Sequence, residues 1–265
     1  MSFLQVQNIH HTYFTKDTAT TALSDISLTV EEGEFVSFLG PSGCGKTTLL
    51  SIIANLIKPT EGTILLENKP VSTLKNDIGY MLQQDYLFPW KTIEENILLG
   101  LKLSKQLNEK TKTNTLNLLK QMGLNGGIEK QLPKQLSGGM RQRVALVRTL
   151  ATEPKLLMLD EPFSALDYQT KLKLEDLVSN TLKAFGKTAI LVTHDIGEAI
   201  AMSDRVFLLS PRPGRIYKTF EIPEELKRLS PFHARNHEAF QGIFQTIWKE
   251  LESLEQTTEK SRTPS

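Results

Sequence analysis

Apolar and polar residues alternate through much of the first thirty positions, the period of a strand with one buried face. Residues 3–9 alternate in part and 23–30 cleanly, with Glu32-Gly33 as a turn before the mostly apolar run 35–39, which predicts a buried strand. The period then changes: Leu49, Ile53 and Leu56 recur at helical spacing until Pro59-Thr60-Glu61-Gly62 stops the helix. Residues 63–66 and 78–82 predict two more short strands. From about 91 to 135, polar Lys/Asn/Thr-rich helical stretches are broken at Gly123 and Gly126-Gly127, the pattern of a helical insert in a larger core. Met140, Val144, Val147 and Ala151 share one face of the next predicted helix. Residues 156–159 and 189–192 follow as buried strands, and 205–210 and 215–222 flank Pro211-Arg212-Pro213-Gly214 as a hairpin. Phe240, Ile243, Phe244, Ile247, Leu251 and Leu254 form a last apolar stripe at helical spacing, predicted to serve core packing or a dimer contact, and 256–265 is polar and predicted to fray.

Composition narrows the picture. At 265 residues the chain can bury a large core as one α/β domain or two small ones. Its 31 basic and 30 acidic residues nearly cancel, which argues against a broad electrostatic grip on nucleic acid or anionic lipid. One cysteine permits no internal disulfide and fits a reducing compartment. The first residues lack the basic start and apolar stretch of a signal peptide, and no apolar run approaches the roughly 20 residues that span a bilayer. Any service to a membrane is therefore expected through a docking partner.

The chemistry starts at Gly40-Pro41-Ser42-Gly43-Cys44-Gly45-Lys46-Thr47, followed by Thr48, between a predicted strand and helix. Glycines there let successive backbone N–H groups turn inward around phosphates, and the helix adds its positive end. Lys46 is placed to reach the outer phosphates and Thr47 to offer a hydroxyl to Mg²⁺. Asp160 and Glu161 end a buried strand, where open α/β sheets bind ligands. Asp160 is expected to hold Mg²⁺ through water, and Glu161 to polarise the attacking water as general base. His194, at another strand end, is expected to meet the γ-phosphate. Leu136-Ser137-Gly138-Gly139-Met140-Arg141-Gln142-Arg143 puts a serine and two glycine N–H groups at a helix start, a second anion site where one chain needs only one. The economical explanation is that Ser137, Gly138 and Gly139 bind the γ-phosphate held by another copy.

Over about residues 1–222 the chain resembles the ATP-binding subunits of ABC transporters. Residues 40–47 match the Walker A motif, 157–161 Walker B, 136–142 the signature motif, Ser164-Ala165-Leu166-Asp167 the D-loop and His194 the switch histidine. Gln83 matches the Q-loop glutamine, which in this family senses Mg²⁺; its preference over adjacent Gln84 rests on aligning Phe88-Pro89-Trp90 with the family's Leu-Pro-Trp. Tyr13, beside Phe14, sits where an aromatic residue stacks on adenine. Met140 replaces the commonest signature glutamine and leaves the backbone donors untouched. The resemblance implies an α/β fold, a P-loop NTPase core with an antiparallel β subdomain and an inserted helical subdomain at about 84–152; 223–265 would be a C-terminal helical appendage and polar tail. It also implies ATP and Mg²⁺ as cofactors, a homodimer closing around two ATP, and a peripheral place on the cytoplasmic face of the cell membrane.

Leu87-Phe88-Pro89-Trp90 and Leu209-Ser210-Pro211-Arg212-Pro213-Gly214-Arg215 look like the nitrate/sulfonate/taurine importer branch, in which the ATPase pairs with permease subunits and, through them, a substrate-binding protein. Trp90 is expected either in the helical core or at the permease groove. A non-transport ABC ATPase of DNA repair or translation is the rival reading, but coiled-coil inserts, zinc-binding cysteine pairs and a second cassette are missing. A P-loop kinase would not account for residues 137–142. Cys44, near a helix N-terminus, is read either as a small residue that fits or as a thiol of lowered pKa whose alkylation blocks hydrolysis. His10-His11 and the His233/His237 pair lack a third ligand, and the second pair is expected on a surface helix.

Overall fold

The computed structural model describes residues 2–74, 76–164 and 166–262, so Ala165 of the D-loop match and the last three tail residues lie outside the described residues. In chain order the elements are β1 (Leu4–Phe14), β2 (Ala19–Val30), β3 (Phe35–Leu39), α1 (Lys46–Ile53), β4 (Glu61–Leu66), β5 (Lys69–Pro70) and β6 (Ile78–Met81). Next come α2 (Ile93–Ile97), α3 (Leu99–Leu103), α4 (Glu109–Gln121), α5 (Gly138–Leu150), β7 (Leu156–Asp160), α6 (Tyr168–Ala184), β8 (Thr188–Val192) and α7 (Ile196–Met202). The chain ends with β9 (Arg205–Leu209), β10 (Ile216–Glu221), α8 (Glu224–Lys227), α9 (Pro231–Arg235) and α10 (Glu238–Arg262).

The strands form two sheets. One is antiparallel, ordered β2-β1-β4-β5; the other is ordered β10-β9-β3-β8-β7-β6, parallel except for β10 on β9. β3, β7 and β8 are buried at every position, which is why they read as mostly apolar runs rather than alternating ones. α1 lies between the sheets, packing Leu49, Leu50, Ile52 and Ile53 against Val36, Phe38, Met158 and Ile190 on one side and Ile9 and Ile26 on the other. The opposite face of the large sheet is covered by α5 and α6, and Ile93, Ile97, Leu118 and Leu119 of the helical region join that core.

The helix after the glycine-rich loop is shorter than its spacing predicts. It ends at Ile53, Asn55 takes a left-handed backbone (φ 57), and Leu56 is exposed rather than part of the buried face. The hairpin and the glycine breaks stand as predicted, with Gly123, Gly126 and Gly127 all at positive φ. Two helices, α6 and α7, carry no clear apolar period. Their buried faces include Glu175, Ser179 and Glu198 beside Leu174, Val178 and Ile200, so the polar members hide the pattern. The C-terminal stripe is core packing: Phe240, Ile247 and Leu254 are buried against β9, β10 and α7, with Ile243, Phe244 and Leu251 around them. α10 continues through Arg262, into the segment expected to fray, and 263–265 lie outside the described residues. His233 and His237 do not share a helix, since α9 ends at Arg235, and Trp90 is 72% exposed, which removes it from the helical core.

Candidate nucleotide site

Residues 40–48 leave β3 and turn into α1. Gly43 (φ 74) and Gly45 (φ 103) adopt left-handed backbones that side chains resist. At Gly45 a Cβ would also fall 2.7 Å from Leu23 Cδ2 and 3.0 Å from the Ala22 carbonyl oxygen. The loop wraps the Lys46 ammonium, which donates to the carbonyls of Gly40 (2.7 Å) and Pro41 (3.0 Å). Cys44 sits under the loop, 1% exposed, with its Sγ 3.8 Å from Lys46 Nζ. Burial pushes the Cys44 thiol up, outweighing the nearby Lys46 charge. The expectation of an activated, accessible thiol is therefore corrected: the residue faces inward, where burial outweighs both the Lys46 charge and the hydrogen bonds from the Lys46 and Cys44 backbone.

The strand ends of β7 and β8 bring the acidic residues to the loop. The Thr47 hydroxyl donates to Asp160 Oδ1 (3.3 Å) and the Tyr80 phenol to Asp160 Oδ2 (3.2 Å). Burial raises the Asp160 carboxyl above its ordinary range; the hydrogen bonds from Tyr80 and Thr47 pull back, and the Glu161 charge adds to the rise. A buried carboxylate beside a hydroxyl, with no cation among its hydrogen-bond partners, is the hard oxygen donor set that could hold a small divalent ion. Tyr80 was not singled out from the sequence. Its place on β6, next to β7, at the edge where strands end was the available signal.

Glu161 turns out of the sheet at φ 47, its N–H donating to the Val192 carbonyl (2.9 Å). Its carboxylate accepts from Gln83 Nε2 (3.1 Å), and His194 Nδ1 lies 3.3 Å from its other oxygen. The loop after β6, the end of β7 and the end of β8 thus meet on one carboxylate. Gln83 also reaches the Ser164 hydroxyl (3.4 Å), while Gln84 lines a neighbouring cavity. A cavity of about 510 Å³ joins Ser42, Gly43, Gly45, Lys46, Thr47 and Thr48 to Glu161 and His194. At the end of β1 the Tyr13 hydroxyl is 3.2 Å from Thr48 Oγ1, and its ring stands edge-on against His11; it is 42% exposed, against 73% for Phe14.

Ser137, Gly138 and Gly139 do not line this cavity. Ser137 caps α5, its hydroxyl accepting from the Met140 N–H (3.3 Å), and a Cβ on Gly139 would fall 2.6 Å from Thr170 Cγ2. Gly138 lines the second cavity, with Gln83, Gln84, Arg141 and Gln142. The two faces are wired together in ways the sequence did not announce. Gln142 Nε2 donates to the Gln83 carbonyl (3.1 Å), Arg141 pairs with Asp85 (2.9 Å), and Arg148 donates to the carbonyls of Asp85 (2.7 Å) and Tyr86 (2.8 Å). α5 therefore grips the loop in which Gln83 holds Glu161.

A phosphate loop, paired strand-end carboxylates and a two-sheet core define the class: a P-loop nucleoside triphosphatase. The comparisons narrow it. The family model described as ABC transporter matches residues 23–164. The chain is 62% identical over 255 residues to the uncharacterized ABC transporter ATP-binding protein YtlC of Bacillus subtilis (strain 168), covering 96% of this chain and 98% of that one. It is 42% identical over 237 residues to the aliphatic sulfonates import ATP-binding protein SsuB of Bacillus licheniformis, covering 89% of each. The dimeric structure of a post-hydrolysis state of the ATP-binding cassette MJ0796 bound to ADP and Pi aligns with a TM-score of 0.72 at 34% identity, over 83% of this chain and 99% of that one. The chain belongs to the ABC transporter family as an ATP-binding subunit, an ATPase coupled to transport.

Proposed function

We propose that this subunit powers an importer of small organic or inorganic anions, or related small molecules, through separate permease subunits fed by a substrate-binding protein. The observation that carries the reading is Glu161, held between Gln83 and His194 at the mouth of the phosphate loop. On this proposal residues 1–222 are the ATPase domain, with a helical subdomain at about 84–152, and 223–265 an appendage packed on it. ATP lies along residues 40–48, with adenine against Tyr13. Thr47, Asp160 and Gln83 would hold Mg²⁺, which when bound would neutralise charge on the outer phosphates. Lys46 neutralises the same oxygens from the loop. Glu161 takes the proton of the attacking water, and His194 orients both Glu161 and the terminal phosphate.

Ser137, Gly138 and Gly139 lie outside the phosphate cavity, with Gly138 on a second one; on this proposal they act on the ATP held by a second copy, which fits the dimeric form of the MJ0796 cassette. Closure and reopening of that dimer would drive the permease. The exposed Tyr86 and Trp90, in the loop that follows Gln83, support a permease seat on that side, at the cytoplasmic face of the membrane. No helix among the described residues is long and apolar enough to cross a membrane. Relatives named as importers favour transport over DNA repair or translation, and no nucleic-acid partner is proposed.

Glu161→Gln tests the reading. It should keep ATP affinity, lose turnover by about a hundredfold or more, and accumulate as an ATP-bound dimer in size-exclusion chromatography. A variant that hydrolyses ATP at the normal rate would remove Glu161 from the mechanism.

A further inference from the structure

The hairpin between β9 and β10 carries the Pro211-Arg212-Pro213-Gly214 run to which the mechanism above gives no task. The fold sets that hairpin on the phosphate loop. Gly214 donates to the Ala22 carbonyl (2.9 Å) and accepts from the Ser24 N–H (3.0 Å), which ties the turn to β2. A Cβ at Gly214 would fall 2.1 Å from the Cys44 carbonyl oxygen, so only glycine permits this approach. Inside the turn, Ser210 Oγ accepts from the Arg215 N–H (3.0 Å) and donates to the Pro213 carbonyl (3.2 Å). The turn is thus anchored at both flanks.

Its two arginines differ. Arg215 reaches back to the Ser24 hydroxyl (3.4 Å). Arg212 makes no side-chain hydrogen bond, ion pair or ring contact among the described residues, and its Nη2 lies 3.9 Å from the position of a Cβ on Gly43. It lines the same 510 Å³ cavity as Ser42, Lys46 and Thr47. Among the described residues the only carboxylate in that lining is Glu161, already engaged by Gln83 and His194. A guanidinium with five free donors, carried on an anchored turn beside the glycine-rich loop, is suited to a polyanion.

We propose that Arg212 is a nucleotide-binding residue, its guanidinium gripping the phosphate chain of ATP in the cavity it shares with residues 42–47. The proposal rests on the reading that this loop holds ATP. A cation supplied by the hairpin adds affinity in the ground state, so its loss should appear in binding and KM rather than in kcat.

The test uses the full chain, with Mg-ATP competing against a fluorescent ATP analogue, and steady-state ATPase kinetics beside it. Arg212→Ala should raise Kd and KM together by about tenfold, as loss of a charge-assisted contact does, with kcat changed less than about twofold. Arg212→Lys should recover part of the affinity, and the gap between Arg212→Ala and wild type should shrink as salt rises. Lys46→Ala is the control. If it abolishes binding while Arg212→Ala and Arg212→Gln bind like wild type, Arg212 has no part in the site and the proposal fails. If Lys46→Ala also binds normally, the reading of the loop itself fails. Normal nucleotide affinity with turnover lost only at protein concentrations that favour dimers would place Arg212 on a carboxylate of the second copy, and would overturn the proposal.

Discussion

Two polar clusters in this molecule use the same residue types in opposite ways. At the cavity mouth, Glu161 is held by the neutral Gln83 carboxamide and by His194, a side chain 64% exposed. Behind it, a second cluster joins α6, the end of β8, α7 and α9. Lys171 pairs with Asp195 (2.7 Å) and lies 3.5 Å from Glu198, Arg235 pairs with the fully buried Glu175 (2.5 Å), and the Thr193 hydroxyl donates to Glu198 (2.5 Å). The first cluster leaves its carboxylate open to water and to an incoming ligand. The second neutralises its carboxylates with the protein's own cations and fixes both neighbours of His194 in the chain. One kind of acidic residue is kept for chemistry, the other for holding the frame.

Matched substitutions should separate the two. Glu161→Gln should lose turnover with little change in melting temperature, whereas Glu175→Gln should keep turnover within a few-fold and act on stability. Equal loss of turnover in both would mean that the cluster behind His194 is part of the chemistry. A larger stability effect is expected above about pH 7, where Glu175 is ionised, from Arg235→Met, which strands a buried carboxylate and should cost about 3 kcal/mol in denaturant unfolding. Arg235→Met combined with Glu175→Leu should recover most of that loss, because the uncompensated charge is gone. Failure of the double variant to recover would show that Arg235 stabilises by packing rather than by pairing.

The comparison also has a pH axis. Burial pushes the Glu175 carboxyl up to about 7, with the Arg235 charge pulling it down and Glu198 pushing it further up. Between its ordinary value of 4.5 and about 7, the unfolded chain gives up this proton while the folded chain keeps it. The contribution of Glu175 to stability is therefore full below 4.5 and is lost as pH rises to about 7. Glu175→Gln cannot ionise. Its stability relative to wild type should rise across this window by at most roughly 3 kcal/mol and then level off. A stability difference that is flat with pH would mean that Glu175 stays ionised throughout.

Legibility in the sequence followed the same division. Residues 40–47, Asp160, Glu161 and His194 could be located from one chain because a strand end and a glycine turn are local features, each readable within about ten residues. The buried strands announced themselves as apolar runs. The cluster behind His194 did not, because Glu175, Ser179 and Glu198 occupy positions where a helical period expects apolar residues. The two carboxylates are compensated by Lys171, Arg235 and Thr193, and only the fold brings Arg235 within reach. Tyr80 and Arg148 were missed for a related reason: each acts through a contact more than sixty residues away in the chain.

Cys44 shows how a local argument fails when a long-range contact decides. Its place before α1 suggests a thiol activated by the helix N-terminus. The fold instead lays the Gly214 turn on the Cys44 backbone and turns the side chain under the loop, where burial disfavours the thiolate. The native protein should therefore react with iodoacetamide far more slowly than a free thiol at the same pH, and ATP should protect little further, because the fold already shields the sulfur. Unfolding in denaturant should release one reactive thiol per chain, a clean readout because the chain has a single cysteine. Fast labelling of the folded protein, suppressed by ATP, would instead mean that the loop opens far enough in solution to present the sulfur at the phosphate cavity.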